Sequence, residues 1–369
     1  MLIDLNRRGF VAFTSAAGAL LLSGCATTGR RGIAEGCSAL PQVKVDPSRV
    51  IRTVAGLRPY RPSGFLVRRE QLGDKALVHN YGHGGSGITF SWGTARLAAD
   101  LGLQGHVGSV AVIGAGVIGL TTARLVQEAG FPVTIYTAAL PPDTTSSIAG
   151  GQIMPSSLFR ESEVTPDWYR QFDSALEYSL RRFAIIVGDE YGVRWLPTYI
   201  ETDDDPAPRY MARAAVGWRH LSRGEHPFPL ERMVHYQTMY VETGRYLRQL
   251  TADVLKGGGK IQLQRFWTPA DVSALSETLV FNCTGLGARD LFGDMELIPV
   301  RGQLAILQPQ PEVRYAFTGR AGYMFPRADG IILGGTFERN IWSTASDPQS
   351  VSGIVESHRQ LMEGFRCTA

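Results

Sequence analysis

Cysteine is scarce in this chain: four among 369 residues, at positions 25, 37, 283 and 367. No two of them form a CxxC pair and none has the spacing of a metal cluster, so no zinc module or thioredoxin-type redox motif is encoded. Long apolar runs are also missing, since none reaches the ~18–20 residues of a membrane-spanning helix. There is no Lys/Arg block, and the formal net charge is only +3, which argues against a nucleic-acid partner. No internal repeat is present. What remains is a globular composition, 44% hydrophobic and 19% charged, with 42 glycines. The length is enough for one large or two interleaved domains with a real core.

The first residues do not read as fold. "LNRRGFVAFTSAAGALLLSGC" carries paired arginines, Arg7 and Arg8, then a mildly apolar stretch and a small-residue exit at Cys25. This resembles a twin-arginine export signal, and Leu22–Cys25 resembles a lipoprotein cleavage box. The implied location is periplasmic, with a lipid anchor on Cys25 as the one membrane contact. The twin-arginine route carries proteins that have already folded.

Downstream, Val50–Val54 reads as a short strand, followed by "GLRPYRPSG", stiffened by Pro59 and Pro62. "FLVRREQLGDKALVHNYG" reads as two short strands around a Gly-Asp turn. The glycine turn "HGGSG" follows, then a helix from about Trp92 to Leu101. Ser109–Ile113 is a buried strand, Val117 to about Glu128 a helix, and Phe131–Tyr136 a second buried strand, which together open a βαβ unit. Helices are expected in "ALEYSLRRFAIIVGDEYG", "TGRYLRQLTADVLKGGG" and the closing "VSGIVESHRQLMEGF". "TLVFNCTGLGARDLF" reads as strand, turn and helix; "VRGQLAILQ", "GYMFPRAD" and "GIILGGTF" are strand-rich.

Gly114, Gly116 and Gly119 make a G-x-G-x-x-G fingerprint between the first strand and its helix, whose N-terminus opens at Val117. The first glycine permits a tight turn, the second lets backbone approach a pyrophosphate, and the third lets helix pack on strand. A dinucleotide site is expected. The second strand, however, ends in Thr137, Ala138 and Ala139, where an acid should meet the ribose. Either another group binds the ribose or affinity is reduced. A deeply held FAD tolerates that loss better than a loosely held NAD. "NCTG", with Thr284 and Gly285, adds a second strand–turn of the kind that passes FAD late in a fold.

These motifs, with "DTTSSIAGG", "VRGQ", "YMFPRADGIILGGTFERNIWS", "GLRPYRP" and "HNYGHGG", resemble the D-amino-acid oxidase family of FAD-dependent oxidoreductases over residues 50–365. The resemblance implies an α/β fold: a Rossmann-type FAD-binding domain interleaved with a mixed-sheet substrate domain. The segments are then a signal (1–25), a tether (26–49), a segment carrying substrate-clamp and flavin-proximal turns (50–108), and the Rossmann unit (109–155). Mostly substrate domain follows (156–277), then a return to the FAD domain (278–302), then substrate-domain strands and the closing helix (303–369). In the family "GLRPYRP" and "HNYGHGG" come last, whereas here they come first, so the sequence resembles a circular permutation. A helix of about twelve residues covers ~18 Å, and a five-residue strand returns ~17 Å, so "QGHVG" suffices as the joint. Residues 364–369 should then lie near 37–45. A Cys37–Cys367 disulfide is conceivable in an oxidising compartment; free thiols are the alternative.

The resemblance further implies hydride removal from the α-carbon of a D-amino acid, giving an imino acid, with molecular oxygen or another electron acceptor closing the cycle. Little acid–base machinery is needed, so the lack of a Ser/His/Asp set or a metal site is expected. Arg58 matches the arginine that clamps the substrate carboxylate, and Tyr323 the tyrosine that assists it. Gly84, Gly85 and Ser86 match the turn over the flavin and the substrate amine, where Gly85 backbone could accept the amine's hydrogens. Thr144, Thr145, Ala149, Gly150 and Gly151 match the loop against the flavin. His83 is structural, while Arg301 and Gln303 either border the cofactor or pin a strand. Gly319 stands where a second, lid tyrosine is frequent, Ser86 replaces a frequent aromatic, and Ile153 and Met154 stand near the flavin loop. The alternatives are a flavin oxidase of glycine or N-methyl amino acids, and a degenerate flavin-binding envelope protein.

Overall fold

The segments "VAVI", "LVFN" and "VTIYT" are buried at every position, as strands covered on both faces must be. A computed structural model places them side by side; it describes residues 39–366. In chain order the elements begin with β1 (Val50–Tyr60), β2 (Leu66–Leu72), β3 (Lys75–Tyr81), α1 (Gly87–Leu103), β4 (Val110–Ile113), α2 (Val117–Glu128) and β5 (Val133–Thr137). Next come α3 (Thr145–Ile148), α4 (Pro166–Ile185), β6 (Val193–Ile200), β7 (Val216–Leu221), β8 (Met233–Val241), α5 (Thr243–Lys256) and β9 (Lys260–Leu263). The rest are α6 (Pro269–Ser273), β10 (Leu279–Asn282), α7 (Gly287–Phe292), β11 (Ile298–Leu307), β12 (Ala316–Gly319), β13 (Gly322–Arg327), β14 (Gly330–Gly334), β15 (Glu338–Arg339) and α8 (Pro348–Glu363).

Two sheets result. The six-stranded sheet runs β2-β3-β10-β4-β5-β9, all parallel except the β2–β3 hairpin. The nine-stranded sheet runs β1-β11-β14-β13-β12-β6-β8-β7, with β15 also on β11, and is mainly antiparallel. Helices α1, α2, α4 and α5 cover the first sheet with one apolar cluster that includes Phe90, Leu120, Phe172 and Leu250. On α8 the residues Val351, Ile354, Val355, Leu361 and Met362 form one stripe, which packs on Leu307, Met324 and Leu333 of the second sheet.

The fingerprint helix forms over the expected residues, Val117–Glu128, and so does the hairpin of β2 and β3. Three elements differ from expectation. Strand β1 does not stop at Val54 but continues through Pro59 to Tyr60, pairing ten residues of β11. It lies at the sheet edge, where a proline without N–H is tolerated. Helix α1 begins at Gly87 rather than near Trp92, and tertiary contacts hold its added first turn: Ile88 and Phe90 join the core and Thr89 Oγ1 donates to the Met154 carbonyl at 3.1 Å. A Cβ on Gly93 would sit 1.9 Å from the Ala175 carbonyl oxygen, so the glycine lets α4 touch α1. Helix α4 starts at Pro166, ahead of the expected stretch, where Thr165 accepts from the Trp168 N–H.

The two described ends of the chain meet. Gln42 Nε2 donates to the Met362 carbonyl, Tyr315 Oη donates to the Pro41 carbonyl at 3.0 Å, and Phe365 stacks on Tyr315. Leu40, Val43, Val45 and Phe365 share the apolar cluster under α8. The stretch expected to be an export signal, Cys25, Cys37 and Cys367 lie outside the described residues.

Replacing Gly93 with Ala forces a methyl into the α1–α4 contact and should lower unfolding free energy by about 2 kcal/mol, net of the helix-propensity gain. Gly353→Ala, exposed on α8 with nothing within 4 Å of the new Cβ, should instead raise it by about 0.5–1 kcal/mol. Urea unfolding of both variants checks the pair.

Candidate active site

Strands β3, β10 and β4 are parallel neighbours, so the turns that follow them share one edge of the sheet. Those turns are Gly82–Gly85, Cys283–Gly285 and Gly114–Gly116, and ligands bind outside the carboxyl ends of such strands. A cleft of ≈ 680 Å³ opens there, within the usual range for large ligands. The nine-stranded sheet closes its opposite wall with Arg58, Gly302, Leu304, Thr318, Tyr323 and Phe325.

The glycine fingerprint is built for close approach. Gly114 has φ +111°, and a Cβ there would lie 2.5 Å from the Cys283 carbonyl oxygen. A Cβ on Gly119 would lie 1.9 Å from the Gly114 oxygen, so the helix seats directly on the turn. Gly116 and Val117 face the cleft, and Ser146 Oγ accepts from the Val117 N–H at 3.0 Å. Helix α2 presents its other first-turn N–H groups and its positive end to this edge. Such a cradle fits the pyrophosphate of a dinucleotide.

Thr144, Thr145, Ala149, Gly150 and Gly151 line the cleft on the loop around α3, and Thr284, Gly285, Gly84 and Gly85 line it from the strand-end turns. Two expected residues stand behind the wall. Gly119 serves the helix seat, and Ser86 is fully buried, donating to the Ser156 carbonyl at 2.7 Å and accepting from the Ser156 N–H. Ser86 therefore fixes the neighbouring loop instead of facing the cofactor.

Arg58 and Tyr323 come together. From Val54 a cross-sheet row passes through Leu304 and Gly334 to Tyr323, and Arg58 lies four residues along β1 on the same face. The guanidinium lies over Gly302, where a Cβ would come within 2.3 Å of it. Arg58 Nη1 donates to the Thr336 carbonyl at 3.3 Å. The Tyr323 ring stacks on Phe325 at 4.6 Å over Gly150, and its hydroxyl reaches toward Gly335. Burial pushes the Tyr323 pKa up, while the hydrogen-bonding guanidinium of Arg58 pulls it back in part. The phenol is a neutral donor at physiological pH. A bridge between Tyr60 and His83 ties the Arg58 strand to the Gly84–Gly85 turn.

His83 is held inside the fold. It is buried, hydrogen-bonds Thr94 Oγ1 at 2.9 Å and stacks on Phe65, and burial pushes its pKa down to about 3. Arg301 and Gln303 pin a strand. Both donate to Glu338, at 2.6 and 2.7 Å, and Gln303 Oε1 accepts from the Asp347 N–H.

Sequence reasoning missed two groups. Beyond the acid-free end of β5, Gln264–Trp267 line the cleft, with Arg265 stacked over Trp267 at 5.0 Å. They supply polar and aromatic surface where Ala138 supplies none, and only the short "KIQL" strand ahead of them signals their position. Thr318 is the register partner of Tyr323, and its Oγ1 is buried without a partner beside the cleft. The two-residue connection between β12 and β13 leaves no room there for a lid.

A family model described as FAD dependent oxidoreductase (DAO) matches residues 28–101 and 109–368. A D-amino acid oxidase of Dugesia ryukyuensis is 29% identical over 69% of this chain and 78% of its own length. A D-amino-acid oxidase of Streptomyces coelicolor is 31% identical over 67% and 76%. Among solved structures, glycine oxidase from Geobacillus kaustophilus has the same fold, with a TM-score of 0.54 at 17% identity over 71% of this chain and 80% of that one.

Gly119→Ala would drive a methyl into the fingerprint turn, an overpacking of ~1–3 kcal/mol, and should weaken FAD binding about tenfold or more. Flavin absorbance relative to protein absorbance after purification checks this; wild-type content would place the cofactor elsewhere.

Proposed function

This chain belongs to the DAO family of FAD-dependent oxidoreductases, and we propose that its reaction is oxidative deamination of a D-amino acid. The observation that carries the proposal is the Arg58–Tyr323 pair on the cleft wall opposite the glycine turns. FAD, when bound, supplies a two-electron acceptor for a hydride leaving the substrate's α-carbon. The planar fork of Arg58 binds both carboxylate oxygens, and the Tyr323 hydroxyl donates a further hydrogen bond. Backbone at Gly85, next to the Arg58 stem, accepts from the amine and fixes the second substituent. With the carboxylate and the amine both fixed, only one enantiomer turns its α-hydrogen toward the flavin. The substrate gives up a hydride and a proton, leaves as an imino acid, and is hydrolysed by water to the oxo acid and ammonia. Where dioxygen is the final acceptor, hydrogen peroxide forms.

Two relatives named as D-amino acid oxidases support this reading over a glycine or N-methyl amino acid oxidase. Gly319 and the short β12–β13 connection favour an open pocket that admits large side chains. Circular permutation belongs to the same proposal and is supported by the Gln42–Met362 hydrogen bond and by Tyr315, which touches both Pro41 and Phe365. So does export through a twin-arginine signal with a lipid on Cys25, which "LNRRGF" and "LSGC" support.

Peroxide release on a panel of D- and L-amino acids, glycine and N-methyl amino acids tests the reaction; turnover of the last two alone would replace it. Arg58→Ala should raise KM roughly 10–150-fold with flavin still bound, as loss of a hydrogen-bonded charge contact implies. Gly302→Ala, which crowds the guanidinium, should raise KM in the same direction. Unchanged kinetics in Arg58→Ala would remove the clamp.

A further inference from the structure

His79 and Asn282 belong to the motifs "HNYG" and "VFNCTG", and their side chains have no part in the reaction described above. They are register partners on β3 and β10, 1% and 0% exposed. One group between them and the cleft has an unambiguous role. The Thr284 backbone N–H can only donate, and it lies 3.2 Å from Asn282 Oδ1; Thr284 Oγ1 lies 2.7 Å from the same oxygen. Oδ1 is therefore the acceptor end of the amide and Nδ2 the donor end. Nδ2 lies 2.9 Å from His79 Nδ1, which must accept and so carries no proton. The imidazole proton is on Nε2, which donates to Glu70 Oε1 at 2.9 Å. A hydrogen-bonded chain thus runs from the half-exposed Glu70 carboxylate through two buried side chains to Thr284, which lines the cleft. Because its hydrogen goes to Asn282, the Thr284 hydroxyl offers only lone pairs to a ligand.

We propose that Glu70, His79 and Asn282 are positioning residues that hold Thr284 as a hydrogen-bond acceptor for a ribityl hydroxyl or ring N–H of FAD, and that a second proton on His79 breaks this relay and loosens the cofactor. A proton on Nδ1 would face the Nδ2 hydrogens, donor against donor. Asn282 must then turn its amide, presenting Nδ2 to the Thr284 N–H and hydroxyl. The N–H loses its acceptor, and the hydroxyl is no longer fixed as one.

The surroundings set the sign of the effect. On β2, Glu70 and Arg68 face the ring; on its own strand Tyr81 meets it edge-on, and Phe292 of α7 does so from above. Asp294 lies beyond, hydrogen-bonded to Arg61 and Tyr81. Burial pushes the His79 pKa below its ordinary 6.5 and Arg68 adds to this, while Glu70 and Asp294 oppose it. At neutral pH the relay is intact. FAD affinity is level there and falls as pH drops through the depressed pKa, below 6.5, by at most tenfold per pH unit for one proton.

The test is FAD titration of the full chain stripped of flavin, followed by flavin fluorescence from pH 7.5 to 5.0. The wild type should bind more weakly as pH falls. In His79→Asn the amide oxygen takes the place of Nδ1, still accepts from Asn282 and cannot be protonated; affinity at pH 7.5 should be kept and the fall abolished. In His79→Gln the amide takes the place of Nε2 and leaves Asn282 Nδ2 without an acceptor. It should bind FAD about tenfold more weakly at pH 7.5, as should Thr284→Val. A purely structural histidine would not separate Asn from Gln in this way. Equal affinities and profiles for the two histidine variants would overturn the relay, and so would a fall with pH that persists in His79→Asn. If either variant fails to fold, the wild-type profile decides: a constant affinity across the range overturns the proposal.

Discussion

The register that joins β1 to β11, β14 and β13 is the constraint on which the site depends. It sets Val54 opposite Leu304, Leu304 opposite Gly334, and Gly334 opposite Tyr323. Side chains two and four residues from this row share its face, so Gly56 and Arg58 look into the same cleft as Tyr323. A slip of one residue between β1 and β11 would turn Arg58 to the far face and leave the phenol alone. The ten-residue β1–β11 ladder, anchored at Gly302 where the guanidinium lies flat, guards against that slip. Glu338, with Arg301 and Gln303, holds the following segment against the same strand.

The second half of the site obeys a different rule. Strands β3, β10 and β4 lie far apart in the chain but are adjacent and parallel in the sheet. Their glycine turns therefore converge on one edge, whichever comes first in the sequence. This is why "HNYGHGG" can precede the "GAGVIG" fingerprint and still face the same cofactor. It also explains why His79 and Asn282, 203 residues apart, form one buried hydrogen bond. Chain order is free to vary while strand order is kept.

Local chemistry made part of this legible in the sequence. The fingerprint turn, helix α2 and the β2–β3 hairpin are set by glycines and apolar periodicity within a dozen residues. Arg58, Tyr323 and the turn residues were found through motifs, and the structure brings them to one cleft. What stayed hidden depends on partners distant in sequence. The extension of β1 through Pro59 needs a neighbour on one side only; the early start of α1 rests on Phe90 in the core and on Thr89 bonded to Met154. Ser86 reads as a cofactor contact until Ser156 is seen to take its hydroxyl. Gln264–Trp267 and Thr318 carry no motif, and only the folded sheet edges place them at the cleft.

The central claim is that one FAD lies between the glycine turns and the Arg58–Tyr323 wall, with the α-carbon of a D-amino acid presented to it. Anaerobic addition of single amino acids to the flavin-loaded protein tests this without reference to the final electron acceptor. The account predicts that D-amino acids bleach the flavin absorbance in one turnover and their L-enantiomers do not. Bound flavin that no D-amino acid reduces, or that both enantiomers reduce alike, would contradict it.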